Sequence, residues 1–195
     1  MKTTATLIAA SALALAACGS ENGQDPVDAA QDAAAAPVGQ ASAATLGANT
    51  VGGYVPNAAE GDMYEIAAAD VALEKSQNAD VRRLAEMIKT DHTAASERFK
   101  SLVPQAAPDV TLPTELDERR QGMLDNLRSA SADEFDRVYI DQQIAAHNEA
   151  VTLHRGFSDN TDAPQLAEHA RTVLPKIEAH LEMAEGLKSG MGGDS

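Results

Sequence analysis

The sequence predicts an all-α protein built on a four-helix bundle, with one short extra helix between the second and third long helices. Apolar residues recur at helical spacing in four long stretches. No stretch shows the alternation that is typical of a strand. Two of the three connections are short, so each linked pair of helices is expected to be antiparallel.

The first pair of long helices meets near Asn78. We predict that the first helix begins at Asn57, where Glu60 three residues later resembles a capping box, and runs to about Ser76. Asn78 caps the second helix, which continues to about Leu102. Its apolar stripe consists of Val81, Leu84, Ile88, Ala95, Phe99 and Leu102.

The connection over residues 103–133 is long and begins with prolines that break the second helix. Thr114 opens a helix of about 15 residues, or roughly 22 Å of rise, which can carry the chain along the whole bundle. The second and third long helices are then parallel. This arrangement is that of ferritin-like folds with one crossover.

The second pair of long helices follows the crossover. Ser131 with Glu134 predicts another capping box, and the third helix runs from Phe135 to about Phe157. Asp162 opens the fourth helix. The bundle is therefore expected to occupy residues 54–188.

The first eighteen residues have the pattern of a secretory signal. Lys2 precedes a short apolar run that ends in Leu15-Ala16-Ala17-Cys18. This ending resembles the lipobox of bacterial lipoproteins, which implies removal of residues 1–17 and a lipid on Cys18. We expect a membrane-anchored protein on the periplasmic side of the bacterial cell envelope, with the outer membrane favoured over the inner.

Residues 18–53 are rich in Ala and Gly, contain acids and carry no Lys or Arg. The segment has few large apolar groups, and burying them cannot offset the entropy lost when the chain becomes ordered. We therefore predict a disordered tether. Residues 189–195 are predicted to be a disordered tail.

Composition excludes several classes of function. The net charge of −15 opposes binding to nucleic acid. Cys18 is the only cysteine, and a lipidated thiol cannot form a disulfide or bind zinc. The expected partner is the membrane, through the lipid on Cys18.

Three histidines interrupt the apolar stripes at helical spacing, namely His92, His147 and His180. We counted residues along each helix from the turn near Asn78. This count places His92 and His147 at the same height along the bundle axis as Glu65 and Asp91. The same counting puts His180 on the order of 10 Å from that level. His154 and His169 are expected at the surface or its boundary.

Two imidazoles and two carboxylates in one buried layer suit a divalent metal such as iron, manganese or zinc. The same residues could instead form a hydrogen-bonded network that only fixes the register of the helices. The residue pattern leaves both interpretations open.

Three segments resemble a known family of secreted or lipid-anchored bacterial proteins of unknown function with a ferritin-like bundle. They are residues 87–92, which end in Asp-His, residues 135–147, which end in His, and residues 174–180, which run from Leu-Pro to His. The resemblance covers about residues 54–188. It implies a site made of Glu65, Asp91, His92, His147 and His180.

The chain departs from the di-iron pattern of ferritins, which needs Glu-x-x-His on two helices. Lys89, Ile144 and Ile177 stand three residues before the three histidines. The leading interpretation is therefore an envelope lipoprotein of unknown specific role that binds a divalent metal. A structural or interaction lipoprotein is the alternative, and a metal-dependent oxidoreductase ranks third.

Overall fold

The computed structural model describes residues 25–44 and 50–191. These residues form six helices and no strand, so the all-α prediction is confirmed for this part of the chain. None of the described helices combines the length and hydrophobicity needed to cross a membrane. Cys18 and the signal segment lie outside the described residues. The helices are α1 (Pro26–Ser42), α2 (Val51–Lys75), α3 (Ala79–Ala106), α4 (Glu118–Ser129), α5 (Phe135–Phe157) and α6 (Pro164–Met191).

The four long helices form a closed ring. Helices α2 and α6 each pack against both α3 and α5. Tyr54 near the start of α2 contacts His154 near the end of α5, and Ser76 after α2 bonds Asp136 at the start of α5. Helices α2 and α5 are therefore antiparallel. The short α2–α3 link reverses the chain, so α3 and α5 run in the same direction, with α4 between them in sequence.

The apolar core is divided along the bundle axis. One cluster lies near the α2–α3 turn and includes Leu84 and Tyr139. A second cluster lies toward the opposite end and includes Tyr54, which stacks on Phe157 at 3.8 Å between ring centroids. The central positions of α2, α3 and α5 lie between these clusters, and they carry polar side chains.

Both predicted capping boxes are wrong. Helix α2 begins at Val51, where the Thr50 side chain caps it, and Asn57 lies inside the helix. Its amide donates to a backbone carbonyl one turn earlier. Before α5, Ser131 and Glu134 form a backbone turn, and no side chain caps the helix.

Two other helix starts are later than predicted. Helix α4 begins at Glu118 rather than Thr114, because the Asp117 side chain accepts hydrogen bonds in its first turn. Helix α6 begins at Pro164, two residues after the predicted Asp162. It extends to Met191, so the predicted tail is helical over residues 189–191.

The segment predicted as a disordered tether contains helix α1, which packs on α4 and α5. Its Ala35 joins the apolar cluster near the α2–α3 turn, and hydrogen bonds between side chains attach the rest of the helix. Asp32 accepts hydrogen bonds from Asn126 at 2.9 Å and from Gln142 at 2.6 Å, and Gln40 accepts one from Thr152 at 2.9 Å. Alanine favours helix formation without a large apolar side chain, so the hydrophobic pattern did not reveal this helix.

Gly39 marks a close approach between α1 and α5, and its replacement tests that packing. A Cβ at Gly39 would overlap the Glu149 carboxylate. Because Arg119 and Arg120 hold that carboxylate at 2.9 and 2.6 Å, we expect Gly39→Ala to displace α1. Hydrogen exchange should then show faster exchange of the α1 amides. Gly61→Ala is the control, because a Cβ there meets nothing within 4 Å. It should keep α1 protected and add up to about 1 kcal/mol of stability. Unchanged exchange in Gly39→Ala would show that the Glu149 carboxylate moves aside and that its ion pairs do not fix the approach of α1.

Candidate metal centre

Three buried histidines converge in the middle of the bundle. His92 comes from α3, His147 from α5 and His180 from α6, and each exposes 5% or less of its surface. One ring nitrogen from each lies within 4.8 Å of the other two. The Nε2 atom of His147 is 3.3 Å from Nδ1 of His180.

The structure therefore places His180 in the layer from which residue counting excluded it. His147 lies ten residues before the end of α5, whereas His180 lies sixteen residues after the start of α6. The two rings meet because the connection over residues 158–163 lets α6 begin roughly 9 Å beyond the end of α5. The sequence alone did not reveal this offset.

The outer nitrogens of two of the rings have defined partners. His92 Nδ1 lies 2.8 Å from Asp62 Oδ1, and His147 Nδ1 lies 3.0 Å from the backbone carbonyl of Gln143. A carbonyl can only accept a hydrogen bond, as can a carboxylate in its ionised form. These contacts therefore assign an N–H to each of the two outer nitrogens.

The third ring is held in the same way. His180 Nε2 lies 3.2 Å from Asp91 Oδ2, while the Lys176 ammonium lies 2.5 Å from the other oxygen. Although burial opposes ionisation of Asp91, hydrogen bonds from Lys176 and His180 outweigh it and lower the pKa of this carboxyl. Asp91 is thus an anion, and His180 Nε2 donates to it.

The inner nitrogens are left as lone-pair acceptors. His147 Nε2 and His180 Nδ1 face each other at 3.3 Å with no hydrogen between them, which is repulsive on its own. His92 Nε2 is buried and has no hydrogen-bond partner among the described residues. A cation held by all three nitrogens would satisfy each of them.

A positively charged ring does not account for the contact between His147 and His180. Burial, followed by the neighbouring His92 and His180, lowers the pKa of His147 well below its usual value. Burial and His92 also lower the pKa of His180 to about 4, although Asp91 opposes this shift. Both rings are therefore neutral near pH 7.

His92 has the opposite tendency. Burial lowers its pKa, but the hydrogen bond and charge of Asp62 outweigh burial, and the net pKa is raised. This ring carries the proton most readily when no metal is bound. A divalent metal must displace that proton, so acid and metal compete for the site.

The two predicted carboxylate ligands lie outside the histidine cluster. Asp91 contacts the outer nitrogen of His180. Glu65 Oε1 lies 3.5 Å from the outer nitrogen of His147. Glu65 is 3% exposed, its Oε2 atom has no hydrogen-bond partner among the described residues, and burial raises its pKa to about 7.

Asp62 is the residue of this centre that the sequence interpretation missed. It orients His92 from α2 and is itself buried. The available signal was its position three residues before Glu65, which places both acids on one face of the helix. No other feature of the sequence distinguishes a buried acid from an exposed one in an Ala-rich helix.

His154 and His169 are buried, contrary to the surface position expected for them. His154 Nδ1 lies 2.9 Å from the hydroxyl of Tyr54, and the ring of His169 packs on Phe99 at 5.2 Å between centroids. Burial, with a smaller effect of His169, lowers the pKa of His154 to about 3.

The family comparison covers most of the chain. The model of a domain of unknown function, DUF4142, matches residues 33–187. The chain belongs to this family. The match begins inside α1, so part of this helix is included in the family domain. No curated protein and no solved structure matches the chain.

The low pKa of His154 predicts a pH-dependent contribution to stability. Its pKa is about 3 in the folded chain and about 6.5 when unfolded. The unfolded chain therefore binds more protons between these values, and stability is lost as pH falls below about 6.5. His154→Gln keeps an acceptor for Tyr54 but removes the titration.

Urea unfolding at several pH values with a chelator present measures this effect. Relative to wild type, His154→Gln should gain about 1.4 kcal/mol for each pH unit below about 6.5. Parallel stability curves for the two proteins would show that His154 is protonated equally in the folded and unfolded states.

Proposed function

We propose that the protein binds one divalent transition-metal ion through His92, His147 and His180. The observation that carries this proposal is the convergence of three buried ring nitrogens, two of which are the facing lone pairs of His147 and His180. The described residues contain one such cluster, which favours a single ion over a dinuclear centre.

One nitrogen–nitrogen separation, that between His147 and His180, matches zinc among the metals considered, while the three nitrogens together lie within 4.8 Å of one another. Zinc–imidazole bonds of about 2.0–2.1 Å give a tetrahedron with an edge of about 3.3–3.4 Å. The separation between His147 Nε2 and His180 Nδ1 is 3.3 Å. Imidazole also suits iron, whereas manganese prefers oxygen ligands and fits this set least well.

The surroundings of the rings support a metal over a purely structural network. Histidines that bind metals usually donate their other N–H to a carboxylate or a backbone carbonyl. Asp62, Asp91 and the carbonyl of Gln143 accept these three bonds here. A structural network would leave two acceptors facing each other, so it accounts for less of the geometry.

Metal titration followed by thermal unfolding tests the proposal. Purified metal-free protein is titrated with zinc(II), iron(II) and manganese(II). At about 100 times the dissociation constant, a bound ion adds about 2.7 kcal/mol of stability. For a chain of this size that raises the melting temperature by about 5–10 °C. We expect the largest rise with zinc and a stoichiometry of one ion per chain.

Variants separate the metal site from general destabilisation. The double variant His92→Ala, His147→Ala should lose the metal-dependent rise, while His154→Gln, which alters a buried histidine outside the cluster, should keep it. Asp62→Asn should weaken binding by about 10–100-fold. If wild type shows no shift with any of the three metals, the metal proposal is wrong.

The arrangement of the helices supports a ferritin-like four-helix bundle as the architecture around this site. The ring of α2, α3, α5 and α6, the parallel direction of α3 and α5, and α4 in the long connection all agree with it. Helix α1 is an addition to that plan.

We further propose that the domain is anchored to a membrane of the bacterial envelope by a lipid on Cys18. The support is the segment Leu15-Ala16-Ala17-Cys18. When the full chain is expressed in a bacterium, wild type should fractionate with membranes and carry acyl mass. Cys18→Ala should leave the membrane fraction. A variant that still pellets with membranes, together with a wild type that lacks acyl mass, would remove the basis for the anchor.

A further inference from the structure

A small cavity borders His92, one of the three ligands of the proposed metal centre. Its volume is about 30 Å³, and helices α2, α3, α4 and α5 border it. His92, Asp62 and Glu65 line one part, and Arg119 and Arg120 line another. A water-sized sphere needs about 10–15 Å³ of such a volume, so the cavity has room for about two waters.

Two residues that line this cavity each carry a buried polar atom with no hydrogen-bond partner among the described residues. These atoms are Nε2 of His92 and Oε2 of Glu65. An unpaired buried polar atom costs about 1–3 kcal/mol, so such atoms usually contact a bound water or ligand. A metal would satisfy His92 but would leave the Glu65 oxygen without a partner.

The protein supplies three metal ligands and no obvious fourth. Asp62 and Asp91 are engaged with the outer nitrogens of His92 and His180. Glu65 lies beside the outer nitrogen of His147. Tetrahedral sites with three protein ligands keep their fourth position for water or another external ligand.

We propose that the fourth metal position opens into this cavity and takes an exchangeable ligand of one to three heavy atoms, beside Glu65. Water occupies the position at rest, and a small monoanion such as azide displaces it. This inference rests on the metal site proposed above. The volume of the cavity sets the ligand class, because a ring or a branched anion of four or more heavy atoms exceeds it.

Cobalt(II) is a suitable probe because its visible absorption reports the ligands around it. The protein is loaded with cobalt(II) and titrated separately with azide and with imidazole. We expect azide to change the spectrum saturably with one ligand per metal. Imidazole, which binds free cobalt but is too large for the cavity, should leave the spectrum unchanged.

Two variants tie the ligand to the cavity. Glu65→Leu, at similar volume, removes the acceptor of the resting water and a carboxylate whose charge repels an anion, so it should strengthen azide binding by about tenfold or more while cobalt remains bound. Ala150→Val places extra carbon at the cavity wall and changes no metal ligand. It should weaken azide binding and should leave the cobalt spectrum without azide unchanged.

The outcomes separate this inference from the metal proposal. A cobalt spectrum that azide does not alter, or that imidazole alters equally, overturns the inference and leaves metal binding in place. Azide affinities that are the same in wild type and both variants also overturn it. Failure of wild type to bind cobalt, zinc or iron overturns both proposals together.

Discussion

The convergence of three buried imidazoles is the constraint on which the rest of the structure depends. His92, His147 and His180 bring ring nitrogens to one place from α3, α5 and α6. Asp62 ties in α2, the fourth long helix, because it contacts His92. Each of the four helices therefore has one position fixed along the bundle axis. Sliding α6 by one turn would move its histidine about 5 Å away and break the layer.

This polar layer sits in an otherwise apolar interior and weakens it when no metal is present. The repulsion between His147 and His180 and the unpaired nitrogen of His92 oppose folding. The apolar clusters on either side, which contain Leu84 and Phe157 among others, supply the opposing stabilisation. Because the folded chain holds the three nitrogens together, the binding of the proposed metal would add its free energy directly to the free energy of folding.

The sequence revealed the residues whose polarity conflicts with their position. His92, His147 and His180 stood out because each interrupts an apolar stripe, and the same stripes predicted the four long helices. The offset of His180 was hidden because it depends on the path of residues 158–163, which have no periodic pattern. Helix α1 was hidden because small and polar side chains attach it to the bundle. The roles of the carboxylates depend on which ring nitrogen each one meets, and spacing along a helix does not determine that.

The polar attachment of α1 has a mechanical consequence. Force applied through the amino terminus reaches α1 before any helix of the ring. The hydrogen bonds that attach α1 come from single side chains such as Asn126 and Thr152, so they can break one at a time, beginning at one end of the helix. The interlocked rings of the central layer must instead shear all at once, which needs a much larger force. Among the described helices, α1 is therefore the one that yields first under tension, and it lengthens the chain while the histidine centre keeps its shape.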